Sequence, residues 1–369
     1  MLDRNSYVPL YCQLADEIQH QIESGQIKPG DKLPSESEMI QIYNIGRPTV
    51  RMALSQLVNK GYLAKEHGRG TFCKTAKVAE EALNIDVILD MSDTYFIPYY
   101  MKSICQVLAD HKCNFIVNDS NNSTPQICAL LRNILQKGTS GVILQSSHNH
   151  EPVSEELEEC FRMYRNAGVP YLMIDCAYDV PDSSYTMLDE EQGGYLAGKY
   201  LQELEHTNVL AISMPAYKDS LLRLEGFCRA YTEAGLPQPS NLAYRKEEEE
   251  NKPFGQQLLR CLDTYHPTAI FCYNDEMAVE SIRILRNSGI RVPEDISVLG
   301  FDDSVLAETC VPPLTTVVHP KQELGKQAAQ ALLDLIYKKQ SWPYVYLFAP
   351  KLVIRESCIP CMTNAKGRT

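Results

Sequence analysis

NIGRPTVRMAL, Asn44 to Leu54, places two arginines and a threonine at the mouth of a helix. Pro48 fits a helix only in its first turn, where its missing N–H costs nothing. From there Val50, Ala53, Leu54 and Leu57 share one side, and Arg47, Pro48, Arg51 and Ser55 share another. The first side suits a core. The second carries guanidinium forks that match guanine edges or phosphates, beside a threonine hydroxyl and first-turn amides that can hold a phosphate oxygen.

Upstream, Tyr11, Leu14, Ile18 and Ile22 recur at spacings of three and four, the stripe of an amphipathic helix that Gly25 ends. Ser35 followed by Glu38 is a capping-box signature opening a second helix, whose apolar residues are Met39, Ile42 and Tyr43. Downstream, GYLAKEHGRGTF gives two short β-like runs around a basic, glycine-spaced tip from His67 to Gly70. Three helices and a hairpin predict a winged helix-turn-helix (α+β), with the third helix shaped for a major groove.

Residues 9 to 73 as a whole resemble the DNA-binding domain of the GntR family of transcription regulators. PLY, G-x-x-x-P-G-x-x-L-P-S-E, R-x-T-V-R-x-A-L-x-x-L and G-x-G-T-F carry the resemblance. It implies contacts to double-stranded operator DNA from Ser37, Arg47, Pro48, Thr49 and Arg51, and from His67 and Gly68 in the wing. One departure is Gly46, where the family has serine: glycine can cap a helix but offers no side-chain oxygen.

The chain of 369 residues carries a formal net charge of −12, which is at odds with a nucleic-acid partner until it is divided. Residues 1–75 hold nine basic and eight acidic side chains, and the remainder 26 against 39. The acidic excess belongs to the larger part, leaving the smaller one able to present a basic face. No apolar run reaches the roughly 18 residues of a membrane span, and the N-terminus lacks the apolar core of a secretory signal, so a cytoplasmic protein is expected. The thirteen scattered cysteines then read as reduced, mostly buried side chains. Cys358 and Cys361 form a C-x-x-C pair with no second pair or histidine cluster, which reads as structural.

Beyond a polar stretch at residues 75–83, taken as a linker, apolar runs of strand length alternate with amphipathic segments: IDVILDM, NFIVND, GVILQS, YLMID, NVLAISM, TAIFCYND and SVLGFDD. Such alternation predicts parallel sheets covered by helices on both faces, and the number of runs predicts two α/β lobes. Several runs end in Asp or Asn, at Asp175, Asn274, Asp275, Asp302 and Asp303, and ligands of open α/β sheets collect beyond the carboxyl ends of strands. Each of these residues alone could equally cap the next helix.

LRLEGF and the segment from AIFCYNDE through GFDD, VPPLTTVVHP and KQELGK resemble the effector domain of LacI/GalR-type regulators, which is similar to periplasmic sugar-binding proteins. The resemblance implies a two-lobed domain over residues 84–361, one lobe from 84–187 and 320–346, the other from 188–318 and 347–361. Crossings fall near Leu188, His319 and Leu347, and residues 362–369 form a tail. It implies a sugar held by Arg223, Asn274 and Asp302, with Asp175 a further candidate and Tyr95 and Phe96 as an aromatic floor. Residues 1–74 would be the DNA reader. Pairing such a reader with such a sensor resembles the arabinose-repressor family, through SNNSTP, LDEEQGGYLAGKYL and HPKQELGK. It implies a homodimer that represses until a sugar releases it from DNA, L-arabinose being the first choice of effector, with another sugar or sugar phosphate, or activation in place of repression, as the alternatives.

Rival readings find little support. The sequence has no P-loop, G-x-S-x-G or H-E-x-x-H, and its one G-x-G lies in a hairpin, so no catalytic residue, cofactor or metal is expected. The acidic run Glu247 to Glu250 reads as a solvated loop. His111, His148, His150 and His206 lack ligand spacing and read as surface residues.

Overall fold

The computed structural model describes residues 9–59, 61–66, 69–74, 82–92, 95–146, 153–246 and 249–361, apart from the side chains of Glu23 and Asn59. The chain divides into two compact units, Met1–Leu83 and Asn84–Thr369. Most of the expected linker, the expected tail, His67, Gly68, His148, His150, Glu247 and Glu248 lie outside the described residues.

The first unit contains α1 (Leu10–Glu23), α2 (Glu36–Tyr43), α3 (Arg47–Asn59), β1 (Leu63–Glu66) and β2 (Gly70–Cys73). Both halves of the capping box form: Ser35 Oγ accepts from the Glu38 N–H at 3.3 Å, and Glu38 Oε2 accepts from the Ser35 N–H at 2.7 Å. Asn44 takes the left-handed conformation, φ 50°, that turns α2 into α3. Leu14, Ile18, Met39, Val50, Leu54, Leu57 and Leu63 close one core. The α2 stripe is narrower than its composition suggests, since Met39 is buried but Ile42 is 62% exposed. β1 and β2 form an antiparallel hairpin, Glu66 opposite Gly70.

The second unit begins with β3 (Asn84–Leu89), α4 (Ile97–Asp110), β4 (Asn114–Asp119), α5 (Thr124–Lys137), β5 (Gly141–Leu144), α6 (Glu155–Ala167), β6 (Tyr171–Ile174) and β7 (Tyr185–Leu188). It continues with α7 (Glu190–Glu203), β8 (Val209–Ser213), α8 (Lys218–Glu233), β9 (Ser240–Ala243), α9 (Phe254–Tyr265), β10 (Ala269–Cys272), α10 (Asp275–Asn287), β11 (Ser297–Asp302), α11 (Val305–Thr309) and β12 (Thr315–Val318). It ends with α12 (Lys321–Ile336), β13 (Val345–Phe348) and β14 (Lys351–Val353). These strands build two six-stranded sheets. One runs β13-β7-β6-β5-β3-β4, all parallel; the other runs β14-β12-β11-β10-β8-β9, parallel except for β14.

Helices cover each sheet on both faces, as parallel strands require. The chain passes between sheets after Leu188, after Val318 and after Phe348. Leu188 and Leu347 both stay with the first sheet, where Phe348 stands opposite Leu188 and Leu347 opposite Met187. His206 is only 3% exposed, not a surface residue: its ring nitrogens meet Thr268 Oγ1 and the Ile359 carbonyl, both at 2.9 Å. Those partners lie too far along the chain for spacing to reveal them. All thirteen cysteines are free, and Cys358 sits in a core beside Leu188, Phe301 and Val317. No helix among the described residues is long and apolar enough to cross a membrane.

The glycines of LDEEQGGYLAGKYL and LRLEGF set the contact between α7 and α8. A Cβ on Gly194 would lie 1.8 Å from the Arg223 carbonyl oxygen, and one on Gly226 would lie 1.8 Å from that of Glu191. Only hydrogen fits at either place. Gly226→Ala is therefore expected to destabilise the second unit by about 1–3 kcal/mol or more, as overpacking does. An unchanged thermal melt would show that the two helices separate without cost.

Candidate functional site

Arg47 and Pro48 at the start of α3, Arg51 one turn later, and Ser37 on α2 are exposed, and Thr49 is half-buried. The α3 residues stand on a helix whose opposite side is held inward by Val50, Ala53, Leu54 and Leu57. Arg51 Nε donates to Glu36 Oε2 at 2.9 Å, so a carboxylate from α2 fixes one guanidinium in place. In the hairpin, Arg69 pairs with Glu66 at 2.6 Å and lies over the Phe72 ring. The outer surface of α3 thus carries cations, a hydroxyl and a proline on a short rigid rod, the equipment for a groove.

In the second unit a cavity of about 420 Å³ opens at the carboxyl ends of the strands, between the two sheets. Tyr95, Phe96, Asp175 and Asn274 line it. Tyr95 and Phe96 stand between β3 and α4, their rings edge to face at 4.7 Å. Asn274 caps α10, its Oδ1 accepting from the Met277 N–H at 2.9 Å. Arg223 and Asp302 do not reach the wall; they lie behind it, 2% and 1% exposed.

From the wall inward a chain of charges runs from one lobe to the other. Tyr100 on α4 donates to Asp175 Oδ2 at 2.7 Å, and His319 Nε2, on the second crossing, donates to Asp175 Oδ1 at 3.0 Å. Glu190, just past the first crossing, has Oε1 3.9 Å from that imidazole and accepts from Arg223 Nε through Oε2 at 2.6 Å. Arg223 also donates through Nη1 to the Tyr273 carbonyl at 2.7 Å and to Asp302 at 3.2 Å, while its guanidinium lies 3.7 Å from the centre of the Phe301 ring. Lys321 donates to the Asp302 carbonyl oxygen.

Burial pushes the Asp302 carboxyl up to about 7 despite Arg223 beside it. Burial is the largest influence and the nearby Asp275 adds to it, while Arg223, which also meets Glu190 and Asp219, offsets only part of the rise. For His319, burial alone would lower the pKa, but Asp175, Glu190 and Asp302 together outweigh it and the imidazole ends above its ordinary value. Burial likewise opposes ionisation of Asp175, yet His319 and Tyr100 hold it below the usual carboxylate range. Asp175, Glu190 and His319 come close enough to surround a metal ion, but their mutual contacts already account for the arrangement.

Several wall residues escape the sequence reading. Asp90 and Gln145 end the first and third apolar runs and obey the same end-of-strand rule that singles out Asp175. Glu190, Tyr217, Lys218, Asp219, Lys246, Tyr273 and Glu276 complete much of the rest, and loop and helix positions of this kind carry no period that marks them. Tyr217 and Tyr273 stack, their centroids 6.0 Å apart.

The family of bacterial regulatory proteins called gntR matches residues 10–73, and the periplasmic binding protein-like domain matches residues 199–358. An arabinose metabolism transcriptional repressor of Geobacillus stearothermophilus is 31% identical over 358 residues, 95% of this chain and 98% of its own length. A repressor of the same description from Halalkalibacterium halodurans is 30% identical over 362 residues, 94% and 96% of the two chains. The chain belongs to this family of transcriptional repressors. A LacI family regulator from Enterococcus faecalis V583, solved with bound ribose, superposes with a TM-score of 0.62 at 26% identity, covering 75% of this chain and 99% of its own. The regulator's relatives are repressors rather than enzymes, in keeping with a sequence that offers no catalytic motif.

The buried charges of the regulator make its stability depend on pH. The folded unit keeps the Asp302 proton up to about pH 7, whereas an unfolded aspartate releases it at about 4. The contribution of Asp302 to stability accordingly falls as pH rises across that window, the raised His319 acts in the same direction, and the lowered His206 acts against them. Asp302→Asn should flatten the decline in melting temperature between pH 5 and pH 8; equal slopes in the two proteins would mean that Asp302 is ionised throughout.

Proposed function

We propose that the regulator is a cytoplasmic homodimer that holds a pseudo-palindromic operator through α3 and the β1–β2 hairpin of each copy, and leaves it when L-arabinose fills the cleft. The observation that carries the effector half is the chemistry of the cavity wall. Five carboxylates, Asp90, Asp175, Glu190, Asp219 and Glu276, face two lysines, Lys218 and Lys246. Such a field repels phosphorylated and acidic sugars and suits a neutral polyol, whose hydroxyls donate to carboxylates and whose C–H faces pack on aromatic rings. Tyr95, Phe96, Tyr217 and Tyr273 provide the rings. The pentose named in the relatives' descriptions fits this chemistry, and the ribose in the structural neighbour is another neutral pentose.

In this mechanism the wall residues do the binding, while Arg223 and Asp302 keep the wall in place. Asp90 is poised as an acceptor, its Oδ1 already oriented by the Ser92 hydroxyl at 2.6 Å. Asn274, with its Oδ1 engaged by the helix, has its amide N–H left to donate. By linkage, the sugar weakens operator affinity by the same factor as operator weakens sugar affinity, and a typical coupling of about 1–3 kcal/mol corresponds to roughly 5–150-fold. Two-fold symmetry sets the two reading helices on two half-sites.

Fluorescence anisotropy of a labelled duplex from the gene's own upstream region, with and without millimolar L-arabinose, tests the reading. Binding should be steeply salt-dependent and should weaken only with the effector. Arg47→Ala should lose operator and keep the sugar, whereas Asp90→Ala should keep operator and lose its response to the sugar. Tight binding unmoved by L-arabinose would sink the choice of sugar; normal operator binding by Arg47→Ala would sink the assignment of α3.

A further inference from the structure

Two large apolar side chains of the first unit stand exposed among the described residues, Ile42 and Met52. Ile42 lies on α2 beside Glu38 and Gln41, over a shallow hollow floored by Leu33 and Pro34. Met52 is different. It is 52% exposed on α3, one turn after Pro48 and one residue after Arg51, directly opposite the side that Val50, Ala53, Leu54 and Leu57 bury. At about 100° per residue Pro48, Met52 and Ser55 form the outermost line of the helix, with Arg47 and Arg51 along one flank. Arg51 is tied to Glu36, so the flank beside Met52 is held rather than free to sweep across it.

A methionine at this place can neither donate a strong hydrogen bond nor pair with a phosphate. The major groove offers one prominent apolar feature, the C5-methyl of thymine, and a flexible thioether adapts well to such a partner. We propose that Met52 is a base-reading residue: with Pro48 it forms an apolar stripe that packs on a thymine methyl in each operator half-site and fixes the preference for thymine there. The inference rests on α3 being the helix that enters the groove. Arg47 then supplies affinity and the guanidinium readout, and Met52 adds discrimination at a position where no hydrogen bond is made.

The test begins with duplexes selected from a random-sequence pool by the full-length protein. Each thymine of the selected half-site is then replaced singly by deoxyuracil, which lacks only the methyl. For the wild-type protein, one or two replacements should weaken binding about four-fold, the value of one buried methyl. Met52→Ala should bind the thymine duplex as weakly as the wild type binds the uracil duplex, and should not distinguish the two at those positions. Reselection with Met52→Gln should return a different base there. Because Met52 is exposed, both variants should melt like the wild type and respond to L-arabinose in the same proportion. Identical uracil profiles for the wild type and Met52→Ala, with Arg47→Ala still losing the duplex, would overturn the role of Met52 alone. Failure of the wild type to enrich any sequence, or unimpaired binding by Arg47→Ala, would overturn the reading of α3 and this inference with it.

Discussion

A buried guanidinium governs the second unit. Arg223 is almost wholly removed from water, and the carboxyl groups of Glu190, Asp219 and Asp302, the Tyr273 carbonyl and the face of Phe301 make that tolerable. An arginine in such a place stays charged, so everything around it has to accommodate a full positive charge. Its partners come from α7, from the end of β11 and from the residue after β10, so these elements cannot shift independently. The close approach of α7 and α8 at Gly194 and Gly226 follows the same demand, since it brings the Arg223 backbone near enough for Glu190 to reach the side chain.

The acids left over after Arg223 has been shared are taken up by neighbours on the other side. Asp175 leans on His319 and Tyr100, and Lys321 meets the backbone of Asp302. Asp275 is turned away from the cavity and held by the Thr316 hydroxyl at 2.6 Å and the Ser304 N–H at 2.7 Å. This sorting explains why acids at the ends of neighbouring strands end up in different roles. Asp175 and Asp90 face the cavity, Asp302 supports Arg223, and Asp275 braces β11 against β12.

Much of this was legible in the sequence because it is periodic or local. The stripe on α1, the Ser35–Glu38 capping box, the two sides of α3 and the alternation of apolar runs all rest on contacts within a few residues, and they give the winged helix and the α/β sheets. What stayed hidden depends on long-range partners. Nothing around Arg223 marks it as a pillar behind the wall rather than part of the wall, since its contacts lie 33 and 79 residues away along the chain. Likewise His206 reads as an ordinary polar residue until Thr268 and Ile359 close over it. The aromatic pair Tyr217 and Tyr273 is assembled from two separate loops, and no pattern within either one announces it.

The crossings between the lobes carry a consequence of their own. Glu190 follows the first crossing immediately and His319 lies on the second, so the pivots of the two lobes and the charges nearest the cavity belong to the same few residues. A sensor of this kind has no transmission shaft. Asp175 and Glu190 both line the cavity and both meet His319, so a guest that touches either acid also touches the joint. Grip and angle are then a single mechanical coordinate, and the stiffness of that joint enters the affinity for the guest itself.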